Sequence, residues 1–189
     1  MFPASEVIPL CVGFSLLALL LVSSVTDLAW HRIPNLLLLS ALLVAMMLRI
    51  SDEGVVGIMS AVSGLVVGLA FLMPLYAMGS MGAGDVKLLG VVGVFLGPWG
   101  AFIAGIATLI AGAILGLVYI AWRIFEPFLA HHSWRLMRLF YAEGQMVPAP
   151  SYEIKTTRGS KIAYAPAIAG GAIFSMWQQG LLTQLAIVS

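Results

Sequence analysis

Charge is what this sequence has least of. Charged residues fill 9% of its 189 positions and hydrophobic ones 61%, and the formal net charge is only +1. So few charges cannot clothe a soluble domain of this length, and the mean hydropathy is +1.06. So small a net charge offers no attraction to nucleic acid. Cysteine is almost missing: Cys11 stands alone. That excludes an internal disulfide and a Cys-x-x-Cys metal knuckle, and Cys11 reads as a small buried apolar residue. His31 has no second His or Cys beside it, and His131-His132 read as exposed side chains, so no metal site is expected. The first apolar run has no cation in front of it, only Glu6, and no Ala-x-Ala cleavage pattern. It reads as a retained first helix, not a signal peptide.

What fills the sequence instead is a series of apolar runs, each of a length that suits a bilayer. They predict an all-α membrane protein, a polytopic bundle of about six transmembrane helices forming a single domain over 1–189. The expected spans are 7–26, 35–50, 55–78, 86–96, 99–125 and 161–188. Asn35 stands where a helix N-cap belongs, Pro74 predicts a kink, and Gly97-Pro98 should end the fourth span. That span is too short to cross alone. Gly64 with Gly68, and Gly112 with Gly116, have the four-residue spacing that lets helices pack backbone to backbone. Residues 126–160 form one long polar loop. Within it, 131–141 places Trp134, Met137, Phe140 and Tyr141 on one helical face, the pattern of an interfacial amphipathic helix. Pro148-Ala149-Pro150 reads as a connector and a candidate lid.

Six spans leave five loops, and the lysines and arginines choose among them. Arg32, Lys87, Arg123, Arg135, Arg138, Lys155, Arg158 and Lys161 fall in the odd loops, and only Arg49 in an even one. Positive loops stay in the cytoplasm, so the odd loops are expected there and both termini outside, in the periplasm.

Two aspartates then share a membrane depth. Asp27 ends the first span, and Asp85 precedes the fourth within Gly79-Ser80-Met81-Gly82-Ala83-Gly84-Asp85-Val86-Lys87. Asp52 and Glu53 fall on the opposite side. An ionisable group at the edge of hydrocarbon is costly, and its default reading is functional. Two carboxylates sharing one proton can divide the work on a peptide bond: one activates water as base while the other protonates the carbonyl. The plain alternative is that each marks a helix end near the headgroups. Gly82 and Gly84 clear side chains from around Asp85, leaving room for a substrate backbone. Lys87 is placed either to attract an acidic group on a substrate or to anchor at the interface.

At these residues the chain resembles the type IV prepilin peptidases, membrane aspartyl proteases with a Gly-x-Gly-Asp signature. Asp27 followed by Ile33-Pro34-Asn35 is similar to the family's first-aspartate motif, and Gly82-Ala83-Gly84-Asp85-Val86-Lys87 to its second. Ile162-Ala163-Tyr164-Ala165-Pro166-Ala167-Ile168-Ala169 is a weaker echo of the start of its last helix. The resemblance implies a multi-pass enzyme of the bacterial inner membrane that removes the short leader from prepilins or pseudopilins at the cytoplasmic face. Asp27 and Asp85 would be the catalytic pair; the reading of Gly82, Gly84 and Lys87 as substrate contacts rests on the residues themselves. It implies no cofactor and no nucleic-acid partner; besides the lipid bilayer, pilus or secretion assembly machinery is a further partner. Presenilin-like proteases share the glycine–aspartate motif, but Thr26 stands here where their tyrosine usually does. The cysteine-bearing module that methylates products in larger members has no counterpart, so the chain resembles the peptidase-only form associated with Flp-type pili, without methyltransferase activity. From the residues alone, a small transporter or channel with an aspartate relay, or a silent assembly factor, are the rival readings.

Overall fold

The computed structural model describes residues 4–30, 32–140 and 164–188. They form six helices: α1 (Ala4–Trp30), α2 (Asn35–Glu53), α3 (Val55–Ala77), α4 (Ala83–Phe140), α5 (Ala165–Gln178) and α6 (Leu181–Val188). No strand occurs among the described residues. The chain divides into two compact units, one of 1–112 with 163–189 and the other of 113–162.

In the smaller unit α4 remains helical as far as Phe140. The polar loop expected from residue 126 therefore starts no earlier than 141, and the expected interfacial helix through residue 140 belongs to α4. Polarity alone does not stop a helix, and the one breaker along 126–140 is Pro127, through which α4 continues. Tyr141 and Pro148-Ala149-Pro150 lie outside the described residues.

Among the described residues, four helices are long and apolar enough to cross a membrane: Val7–Trp30, Asn35–Glu53, Val55–Ala77 and Ala83–Phe125. The expected fourth and fifth spans both fall within the last of these. Its helix is interrupted at Gly97, with φ 74° and ψ 178°. A Cβ placed on Gly93 would lie 3.1 Å from Cβ of Ala101, whereas eight residues of straight helix cover about 12 Å. The chain therefore doubles back at Gly97-Pro98, and segment 83–96 lies alongside the segment that follows. The expected sixth span begins at Ala165, so Pro166 sits in the first turn, where its missing N–H costs no helical bond. Gly180, at φ 75°, splits the run into α5 and α6. With 14 and 8 residues, neither reaches the length needed to cross.

Segment 83–96 is the centre of the larger unit. Val86, Leu88, Leu89, Val91, Val92, Val94, Phe95 and Leu96 are all buried, the pattern of a helix surrounded by protein. The other helices turn one apolar face outward: Phe14, Leu21 and Val25 on α1, Leu36 and Met47 on α2, Met59 and Met73 on α3. An exterior made of large apolar side chains suits lipid, not water. Cys11 is exposed on that exterior, contrary to expectation, because it lies on the outer side of the turn of α1 whose inner side buries Val12.

Glycine brings the backbones together. Gly64 sits against the Gly93 carbonyl, and a Cβ on Gly68 would meet Cα of Gly90 at 2.9 Å. Gly112 faces the Tyr164 ring, where a Cβ would come within 2.9 Å of it. Gly116 has nothing within 4 Å among the described residues, so the expected packing role does not extend to it.

Candidate active site

Helix ends meet at one end of the larger unit. Asp27 lies in the last turn of α1 and Asp85 in the first turn of α4. Both are removed from solvent, with 7% and 8% of their surface accessible. Burying a carboxylate is costly unless hydrogen bonds and neighbours answer it. The Ala165 backbone N–H, at the start of α5, donates to Oδ2 of Asp27 at 3.0 Å. The Gly82 N–H donates to Oδ2 of Asp85 at 3.2 Å, while the Asp85 N–H donates to the Gly82 carbonyl at 3.2 Å. The two carboxylates are within electrostatic reach of one another. Each is therefore held by a backbone donor at Oδ2, next to the other acid.

The start of α2 completes the arrangement. Ile33 lies over Gly84, at 3.5 Å from where a Cβ would be. Nζ of Lys87 donates to Oδ1 of Asn35 at 3.2 Å, and both residues are exposed. The stretch Ile33-Pro34-Asn35 is thus docked on the stretch Gly82 to Lys87. Asn35 is not the N-cap expected of it. Pro34 caps α2 with extended backbone, and its carbonyl accepts from the N–H groups of Leu37 and Leu38. The cap falls one residue early because proline's fixed φ already supplies the extended entry. That frees the Asn35 side chain for Lys87.

The sequence-predicted residues accordingly divide into a buried pair, Asp27 and Asp85, and a more open border of Gly82, Gly84 and Lys87. Asp52 and Glu53 lie at the opposite end of α2. His31 lies outside the described residues, and these contain no cluster of three or more His, Cys, Asp or Glu able to hold a metal. Sequence reasoning missed the Ala165 N–H, whose only signal is the weak motif around Pro166. It also missed the pairing of Asn35 with Lys87, which no spacing along the chain reveals.

A model of the type IV leader peptidase family matches residues 14–120, more than half of the chain. The matched stretch contains Asp27, Ile33-Pro34-Asn35 and Gly82 through Lys87. No curated protein and no solved structure matches the chain.

Proposed function

The chain belongs to the type IV leader peptidase family, and from that footing we propose an aspartyl endopeptidase that cuts the short leader from prepilins or pseudopilins, of the Flp type, using Asp27 and Asp85 as its catalytic pair. The observation that carries this reading is the convergence of two buried carboxylates from different helices, each with a backbone N–H on Oδ2. Family membership does not favour the ion-relay alternative.

The chemistry follows from two carboxylates sharing one proton. The ionised one takes a proton from a water, whose oxygen attacks the scissile carbonyl carbon. The protonated one gives its proton to the carbonyl oxygen. In the resulting diol the C–N bond breaks, and a proton passes to the departing amine. Exposed Gly82 adds no side chain to the rim of the pair, and Gly84 adds none beside Ile33, so an unwound substrate backbone can lie across it. Lys87, held by Asn35, offers a positive charge at the same rim for an acidic group on the substrate.

The substrate's apolar helix would lie in the bilayer with its leader at the membrane surface. Arg32 and Lys87, the cations next to the aspartates in the sequence, support a cytoplasmic position for the aspartate end, in the inner membrane of a bacterium.

The test is cleavage of a Flp-type prepilin on co-expression, read by gel mobility and N-terminal sequencing. Asp27→Asn and Asp85→Asn each remove one partner of the acid–base pair and should slow cleavage by about 10²- to 10⁴-fold at unchanged expression. Cleavage that survives either substitution would break the assignment.

A further inference from the structure

The far end of segment 83–96, remote from the aspartates, is built with more care than a helix end in a loop requires. Because the helix stops at Gly97 and Pro98 has no N–H to give, the carbonyls of Val94, Phe95 and Leu96 are without the donors of a regular helix. Side chains of other elements replace them. Arg49 of α2 donates through Nη2 to the Phe95 carbonyl at 2.6 Å and through Nε to the Val94 carbonyl at 3.4 Å. Gln179, just past α5, donates through Nε2 to the Leu96 carbonyl at 3.4 Å. The guanidinium stands at the negative end of the segment's dipole, where a cation is favoured, and Glu53 lies 3.8 Å away on its other side.

These contacts join two struts of equal length. Segment 83–96 carries Asp85 in its first turn and ends at the carbonyls that Arg49 holds. Helix α5 binds Asp27 through its first N–H and ends at Gln179, which holds the same segment. Ser175 of α5 adds a hydrogen bond to the Gly100 carbonyl at 3.0 Å, just past the turn. Each strut is about 20 Å long. With the far ends fixed level, the near ends, and so the two carboxylates, are level as well.

We propose that Arg49 is a positioning residue for leader cleavage: by gripping the far end of segment 83–96 it sets how far Asp85 reaches toward Asp27. The inference rests on Asp27 and Asp85 being the catalytic pair. Arg49 is the strongest element of the grip, since it is charged and spans two carbonyls, whereas Gln179 is neutral and reaches one. Placement errors of about 1 Å at a reacting centre cost on the order of 10²-fold in rate.

The experiment uses the purified full chain with a Flp-type prepilin, measuring kcat, KM and the thermal unfolding midpoint. Arg49→Met keeps an apolar stem and removes every donor. It should lower kcat on the order of 10²-fold with KM unchanged. Arg49→Lys keeps the cation at the helix end but cannot span both carbonyls, and should fall between Arg49→Met and wild type. Glu53→Gln leaves the carbonyl bonds in place and should behave as wild type. Folded Arg49→Met with wild-type kcat, or with a loss confined to KM, overturns the proposal. If Arg49→Met does not fold, Arg49→Lys decides: wild-type kcat overturns the proposal, and a lowered kcat at a wild-type midpoint upholds it. Asp27→Asn and Asp85→Asn run in parallel. If either still cleaves, the catalytic pair itself is wrong; if both are dead while Arg49→Met is fully active, only the role of Arg49 fails.

Discussion

A carboxylate inside an apolar bundle persists only where something answers its charge, and here the answer comes mostly from backbone. Gly82 is the support that leaves least room for a side chain. Its N–H bonds Oδ2 of Asp85, and a Cβ on it would lie 3.3 Å from that same oxygen. Gly82→Ala should push the carboxylate by a few tenths of an ångström and lower kcat by roughly tenfold. At Gly84 a Cβ would make only ordinary contact with Ile33 at 3.5 Å, so Gly84→Ala should keep most activity. Gly84→Val adds two more carbons over the rim, and should impair cleavage while the protein stays folded. Kinetics of the three purified variants rank these effects; a Gly82→Ala enzyme as active as Gly84→Ala would show that the Oδ2 contact does not hold the acid in place. Both aspartates are legible in the sequence because a charge in an apolar run is conspicuous. The Ala165 N–H is not, since a backbone donor has no letter of its own. Nor is the Asn35–Lys87 bond, which joins positions 52 residues apart.

Elements are shaped here by glycine more than by any polar signal. Gly97-Pro98 reads in the sequence as a helix end, and the chain does reverse there, although helix continues on both sides. Gly180 is harder to see, because an apolar run resumes immediately after it and only a positive φ marks the break. The paired glycines show why spacing alone is insufficient. Gly64 has the Gly93 backbone against it, and Gly116, with the same kind of spacing, has nothing within 4 Å among the described residues. Spacing identifies a smooth stripe, but only a partner makes it an interface. Gly64→Ala should therefore destabilise the protein by about 1–3 kcal/mol through overpacking against backbone that cannot yield. Gly116→Ala should be neutral or stabilising by up to ~1 kcal/mol, since alanine is the better helix former. Thermal unfolding of both variants in detergent separates the two cases. Equal midpoints would mean that α3 and segment 83–96 can move apart at little cost.

At the scale of the whole molecule the two ends of the larger unit differ in kind. One end carries Asp27, Asp85, Lys87 and Arg32, and the other carries Arg49, Asp52 and Glu53. Cationic loops are retained in the cytoplasm during insertion, so the aspartate end should face inward, where a leader that has not crossed the membrane can reach it. The alternative orientation would put the pair on the side opposite a leader still in the cytoplasm, and cleavage could then only follow its translocation. Two exposed serine and aspartate positions report on the choice: Ser80 beside the aspartates, and Asp52 at the far end. In a Cys11→Ser background, Asp52→Cys should react with a membrane-impermeant maleimide in intact cells. Ser80→Cys should react only after permeabilisation. The reverse pattern would invert the protein in the membrane and leave the aspartate pair without access to a cytoplasmic leader, even if Asp27→Asn and Asp85→Asn abolish cleavage in detergent.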